Sequence, residues 1–128
     1  MKFADISFLT EDVDRLRAFY EAVFREKSDG DAFHAWLSAG GLAIVFDSTQ
    51  NLATTDAFSY AETMRPGAAI LSFDVEDVDA EYARLKSLGI LTLNAPTTHP
   101  WGARSFQFAD PDGNVLNFRT VPQAQSQP

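Results

Sequence analysis

The side chains able to do chemistry in this chain are few and widely spaced. Asp5, Asp47 and Asp74 lie in or beside short apolar segments, where a carboxylate could act as acid, base or cation partner. Two histidines, His34 and His99, could accept protons or hydrogen-bond a ligand. Ser7 and Ser72 have no nearby His-acid partners in sequence, and neither a GxSxG elbow nor a Gly-rich phosphate loop is present. The chain has no cysteine, which excludes disulfides, thiolate metal sites and a cysteine nucleophile together. Any metal would depend on His, Asp, Glu or Asn. A formal net charge of −8, with basic residues scattered singly, argues against nucleic acid as partner and weakly favours cationic ligands. Arg104 and Arg119 could equally bind an anionic group.

The elements that must position these residues come in two copies. Glu11-Asp12-Val13-Asp14 recurs as Glu76-Asp77-Val78-Asp79. Each copy follows a short apolar segment, Ile6 to Leu9 and Ile70 to Phe73, and each precedes an amphipathic stretch. Val13, Leu16, Phe19, Tyr20, Val23 and Phe24 recur at helical spacing in the first, and Val78, Tyr82, Leu85 and Leu88 in the second. Asp12 and Asp77 stand where N-caps belong, and Gly89 can close the second helix. Strand-like segments follow each helix: Phe33 to Leu37 and Leu42 to Phe46, then Ile90 to Leu93, Arg104 to Phe108 and Val115 to Phe118. The pattern predicts two βαβββ modules, about 1–47 and 68–121, joined by a linker over 48–67, within a single domain spanning 1–121. Residues 122–128 lack apolar periodicity and are expected to be a disordered tail.

Alternation along the strands converts sequence parity into sheet faces. Ile6, Phe8, Ile44, Phe46, Leu71, Phe73, Leu116 and Phe118 form one wholly apolar set, suited to lie under the helices. Phe33, Ala35, Leu37, Phe106 and Phe108 are expected on the same side. The opposite set is mixed: Asp5, Ser7, Leu9, His34, Trp36, Ser38, Ala43, Val45, Asp47, Ile70, Ser72, Asp74, Ser105, Gln107, Val115, Asn117 and Arg119. Large apolar groups among scattered polar ones suit a pocket lining better than a wet surface. Phe58, Tyr60 and Trp101 are further aromatic groups able to wall such a pocket.

The paired modules, the Phe19-Tyr20 pair, and Trp101-Gly102-Ala103-Arg104 leading to Asp110-Pro111-Asp112-Gly113-Asn114 resemble the glyoxalase / bleomycin resistance / dioxygenase superfamily, the vicinal oxygen chelate fold. The resemblance covers roughly residues 3–120. It implies an α+β fold in which two tandem βαβββ modules form a curved eight-stranded mixed sheet around a cleft, with helices on the convex side, commonly in a homodimer. In the family's metal enzymes, four cleft positions carry His, Glu or Gln ligands. The resemblance carries these onto Asp5, Val45, Ile70 and Asn117. Val45 and Ile70 have no donor atom, so the usual metal centre is not expected.

The expected function is therefore metal-free binding, with no cofactor and no catalytic residue assigned. An aromatic or cationic, antibiotic-like compound would be sequestered against Trp36, Phe58, Tyr60 and Trp101, with Asp5, Asp47 and Asp74 available to a cation. The ligand set is completed by Ser7, His34, Val45, Ile70, Ser72, Gln107, Asn117 and Arg119. The alternative is a lyase, isomerase or dioxygenase of the same superfamily using an unconventional metal site or a carboxylate base. No signal-like or membrane-spanning apolar run is present, so a cytoplasmic protein without a membrane partner is expected.

Overall fold

The computed structural model describes residues 4–54 and 70–121. Eleven elements follow in order: β1 (Ile6–Thr10), α1 (Val13–Phe24), β2 (Asp29–Gly30), β3 (His34–Ala39), β4 (Leu42–Ser48), α2 (Thr49–Ala53), β5 (Ile70–Asp74), α3 (Val78–Ser87), β6 (Thr97–Thr98), β7 (Arg104–Ala109) and β8 (Val115–Thr120). They fall into two compact units, Met1–Gly67 and Ala68–Pro128. Each holds a four-stranded mixed sheet, ordered β1-β4-β3-β2 in the first and β5-β8-β7-β6 in the second. The α+β class and the twofold βαβββ pattern are thus present. The strands expected from the repeat are distributed over two sheets with the same internal order.

Both principal helices start where their acidic repeats place them. Asp12 Oδ1 accepts the Arg15 backbone N–H at 3.0 Å, and Asp77 Oδ1 accepts that of Ala80 at 3.0 Å. Each bond satisfies one of the orphan donors of a first turn and contributes about 1 kcal/mol. Helix α3 closes as its glycine suggests: Gly89 takes φ +75°, and the Ile90 N–H reaches back to the Leu85 carbonyl.

The apolar parity set lies under the helices. In unit one, Leu16, Tyr20 and Val23 of α1 bury against Ala35, Leu37, Ile44 and Phe46. Tyr20 sits at the centre, with its ring 5.2 Å from Phe46, 5.9 Å from Phe8 and 5.8 Å from Phe24. In unit two, Val78 and Leu85 of α3 bury with Phe106, Phe108, Leu116 and Phe118. A large side chain buried in this way contributes roughly 1.5–3 kcal/mol of transfer free energy. Among the described residues, a long helix, α1 or α3, closes over one face of each sheet. The other is the face on which the mixed set stands.

Several elements differ from expectation. Phe33 does not join the helix side; it precedes β3 and is 56% exposed. Asp31 explains this, because its carboxylate accepts the backbone N–H of both Phe33 and His34 and bends the chain before the strand begins. The Ile90–Leu93 segment forms no strand and touches β7 only through the Thr92–Phe108 bridge and its flanking hydrogen bonds. The outer strand is β6 instead. The stretch read as linker begins with the last residue of β4 and the short α2.

Candidate functional site

In unit one, strand register fixes which side chains stand together on the face away from α1. Ser7, Val45, Trp36 and Asp29 form one row across β1, β4, β3 and β2. Leu9, Asp47 and His34 form the next. Trp36 is 44% exposed, although it is the largest apolar side chain of its strand. Its ring centroid lies 5.4 Å from that of His34. The imidazole Nδ1 of His34 is 2.5 Å from Asp47 Oδ1, with the His34 side chain 55% exposed and that of Asp47 only 15%. Asp47, expected as a direct cation contact, is covered and engaged by His34. Asp5 stands just before β1, exposed, and accepts a long 3.4 Å bond from the Ser7 hydroxyl.

In unit two the corresponding face carries a connected polar row. Ser72, Asn117 and Gln107 lie opposite one another on β5, β8 and β7. Gln107 Nε2 donates to Asn117 Oδ1 at 2.6 Å, and Asn117 Nδ2 donates to Ser72 Oγ at 3.2 Å. Gln107 Oε1 in turn accepts from Asn94 Nδ2 at 2.6 Å, and its backbone N–H donates to Asn94 Oδ1. One step along, Arg119 Nε donates to Asp74 Oδ1 at 2.8 Å, so each of these two candidates is paired with the other. Ile70, 61% exposed, stands at the sheet edge opposite Val115. Trp101 stacks on His99 at 4.6 Å and 7°, and His99 Nε2 lies 2.8 Å from Ser105 Oγ.

Asn94 and His99 were absent from the sequence-based set. Asn94 has no strand parity to place it. His99 is a loop residue with no strand parity to give it a face, and its contacts with Trp101 and Ser105 place it beside β7. Phe58 and Tyr60 lie outside the described residues.

A cavity of about 350 Å³ lies elsewhere, at the start of α3, lined by Glu76, Asp77, Val78, Asp79, Gly102, Arg104 and Thr120. Arg104 and Thr120 share the parity of Phe106 and Phe118, so this hollow opens at the helix-covered side. Arg104 pairs both its Nε and a terminal nitrogen with Asp79, at 2.9 and 2.8 Å, and donates to Thr98. Those hydrogen bonds hold the Asp79 carboxyl below the usual carboxylate range and raise the Arg104 guanidinium. The guanidinium is therefore committed within the protein.

The donor chemistry of the positions implied by the resemblance does not fit a metal. In unit one the two positions are the Asp5 carboxylate and the hydrocarbon of Val45; in unit two they are the hydrocarbon of Ile70 and the carboxamide of Asn117. Both ends of that carboxamide are already hydrogen-bonded to neighbours. Among the described residues, no three His, Asp or Glu side chains converge on a point. Divalent metals of this class need at least three well-placed donors.

Comparison with known proteins agrees with this architecture. The family model described as "Glyoxalase/Bleomycin resistance protein/Dioxygenase superfamily" matches residues 2–118. A bleomycin resistance protein from Geobacillus stearothermophilus is 37% identical over 59 residues, 45% of this chain and 45% of that relative, so the match spans under half the relative's length. Two solved structures share the fold. A glyoxalase/bleomycin resistance protein/dioxygenase from Nocardioides superposes with a TM-score of 0.80 at 20% identity, covering 98% of this chain and 86% of that one. A glyoxalase/bleomycin resistance protein/dioxygenase family enzyme from Burkholderia phytofirmans PsJN gives 0.78 at 22% identity, covering 93% of this chain and 100% of that one. With the duplicated strand order and this match along nearly its whole length, the chain belongs to the glyoxalase/bleomycin resistance protein/dioxygenase superfamily.

Proposed function

We propose that this protein binds an aromatic or cationic small molecule without a metal, on the sheet faces turned away from α1 and α3. The observation that carries this reading is Trp36, which stands exposed in the same row as Val45 and beside the His34–Asp47 pair. An indole left open on a strand surface costs free energy unless something apolar covers it. An aromatic guest stacked there gains roughly 0.5–1.5 kcal/mol beyond simple burial, and a cation over the ring a similar amount. Around it, Asp5 and Ser7 offer polar contacts, and Val45 offers hydrocarbon. Asp47 acts through His34.

Ser72, Gln107 and Asn117 supply the second sheet's hydrogen-bonding row, Ile70 and Trp101 its apolar ground, and Asp74 with Arg119 a paired charge at the strand ends. The relative named for bleomycin resistance supports an antibiotic-like guest. The proposal includes a cytoplasmic homodimer, in keeping with the cysteine-free composition and the family resemblance. No described helix is long and apolar enough to cross a membrane.

Titration of tryptophan fluorescence with a panel of cationic and aromatic antibiotics tests the reading. At least one compound is expected to give a saturable change that Trp36→Leu abolishes. Absence of a saturable change with every compound would overturn it.

A further inference from the structure

The hydrogen bond between His34 and Asp47 fixes which imidazole nitrogen is left for a ligand. An ionised carboxylate only accepts hydrogen bonds, so the proton of a neutral His34 must sit on Nδ1, pointing at Asp47 Oδ1. Nε2 is then a bare lone pair on a half-exposed ring, 5.4 Å from the Trp36 ring by centroids. Asp47 is itself covered, so its charge is felt by a guest through the imidazole. Asp31 holds the other side of the arrangement by accepting the His34 backbone N–H at 3.0 Å, and the β3–β4 register brings Asp47 opposite His34.

Resting on the binding function given above, we propose that His34, positioned by Asp47, is a hydrogen-bond acceptor that selects guests carrying an O–H or N–H donor at the edge of a ring stacked on Trp36. The ligand class is then narrower than aromatic or cationic compounds in general. Phenols, aryl amines and protonated amines attached to a flat ring satisfy both groups. The same rings with the donor capped satisfy only the indole and leave the Nε2 lone pair desolvated without a partner, which is the costlier half of a lost hydrogen bond.

The test compares 2-naphthol with 2-methoxynaphthalene, which share a ring system and differ in the donor. Binding is followed by the NMR shift of the Trp36 indole N–H, and the His34 tautomer by the ¹⁵N shifts of its ring. The expected result is an Nδ1-protonated His34 and 2-naphthol binding about tenfold more tightly than its methyl ether. In His34→Leu the two compounds should bind alike. In Asp47→Asn the carboxamide can donate to Nδ1 and move the proton to Nε2, so the preference should vanish with a visible change of tautomer. Equal binding of the two compounds to the unmodified protein, or an Nε2-protonated ring there, would overturn the inference while leaving aromatic binding at Trp36 intact. Failure of both compounds to shift Trp36 would overturn the inference and the aromatic-binding function together.

Discussion

Gln107 and Asn117 face each other across β7 and β8, and the Gln107 amide donates to the Asn117 carbonyl oxygen at 2.6 Å. This bond orients the Asn117 carboxamide so that its N–H₂ turns to Ser72, and Ser72 is left as the row's hydroxyl donor. A carboxamide held at both ends is a fixed hydrogen-bonding surface and a poor metal ligand. Its partner position in the same unit, Ile70, supplies no donor at all.

Replacing Gln107 with Leu should therefore free the Asn117 carbonyl oxygen and remove one of the two hydrogen bonds that hold Asn94. The loss of these hydrogen bonds is expected to cost about 1–3 kcal/mol in urea unfolding. The Asn117 side-chain amide resonances should broaden or move. Unchanged stability and an unmoved Asn117 amide would show that the row is not connected as described.

Gly30 couples the outer edge of the first sheet to His34. It takes φ +110°, and a Cβ placed there would lie 2.2 Å from the His34 carbonyl oxygen and 2.6 Å from the Ala35 Cα. Gly30→Ala is expected to destabilise the protein by more than the ~1 kcal/mol by which the same change stabilises a site whose backbone suits alanine, because both the backbone conformation and the space are denied. The His34 and Trp36 resonances should shift with it. A stable Gly30→Ala variant with an unperturbed Trp36 would contradict the packing of β2 against β3.

Tyr20 fills the middle of the first unit's core and is fully buried among Phe8, Phe19, Phe24 and Phe46. Tyr20→Ala should remove about 3–5 kcal/mol of stability, read from the denaturation midpoint at unchanged slope. A loss below about 1 kcal/mol would place the core elsewhere.

The Asp79–Arg104 pair gives a pH dependence of known sign. Because the folded carboxyl titrates below its ordinary value, its stabilising effect is complete at neutral pH and fades as the pH falls through the folded pKa. Urea midpoints of the unmodified protein and Asp79→Asn should differ at neutral pH and converge in acid. A gap of the same size at every pH, with no narrowing as the solution is acidified, would mean that Asp79 acts by something other than its charge.

How much of this was legible in the sequence follows from what each feature depends on. The helix starts at Asp12 and Asp77 were readable because a cap is local chemistry, and the sheet faces were readable because Phe106 and Phe108 alternate with Ser105 and Gln107. Strands β2 and β6, each two residues long, were not, since contacts across the sheet hold them in place of any pattern of their own. Phe33 falls off the expected face because the turn held by Asp31 delays the start of β3 to His34. His34 and Asp47 were each assigned to the mixed face, yet their pairing required the β3–β4 register, which parity alone does not give. Asn94 joins Gln107 only because the chain after α3 runs beside β7.

Elemental analysis of the protein purified without chelators bears most directly on the central claim, that hydrocarbon at Val45 and Ile70 replaces the donor atoms of a metal centre. The account predicts iron, zinc, nickel and manganese each far below one per chain, and no change in melting temperature when any of them is added. A near-stoichiometric metal that is lost on Asp5→Ala would contradict it.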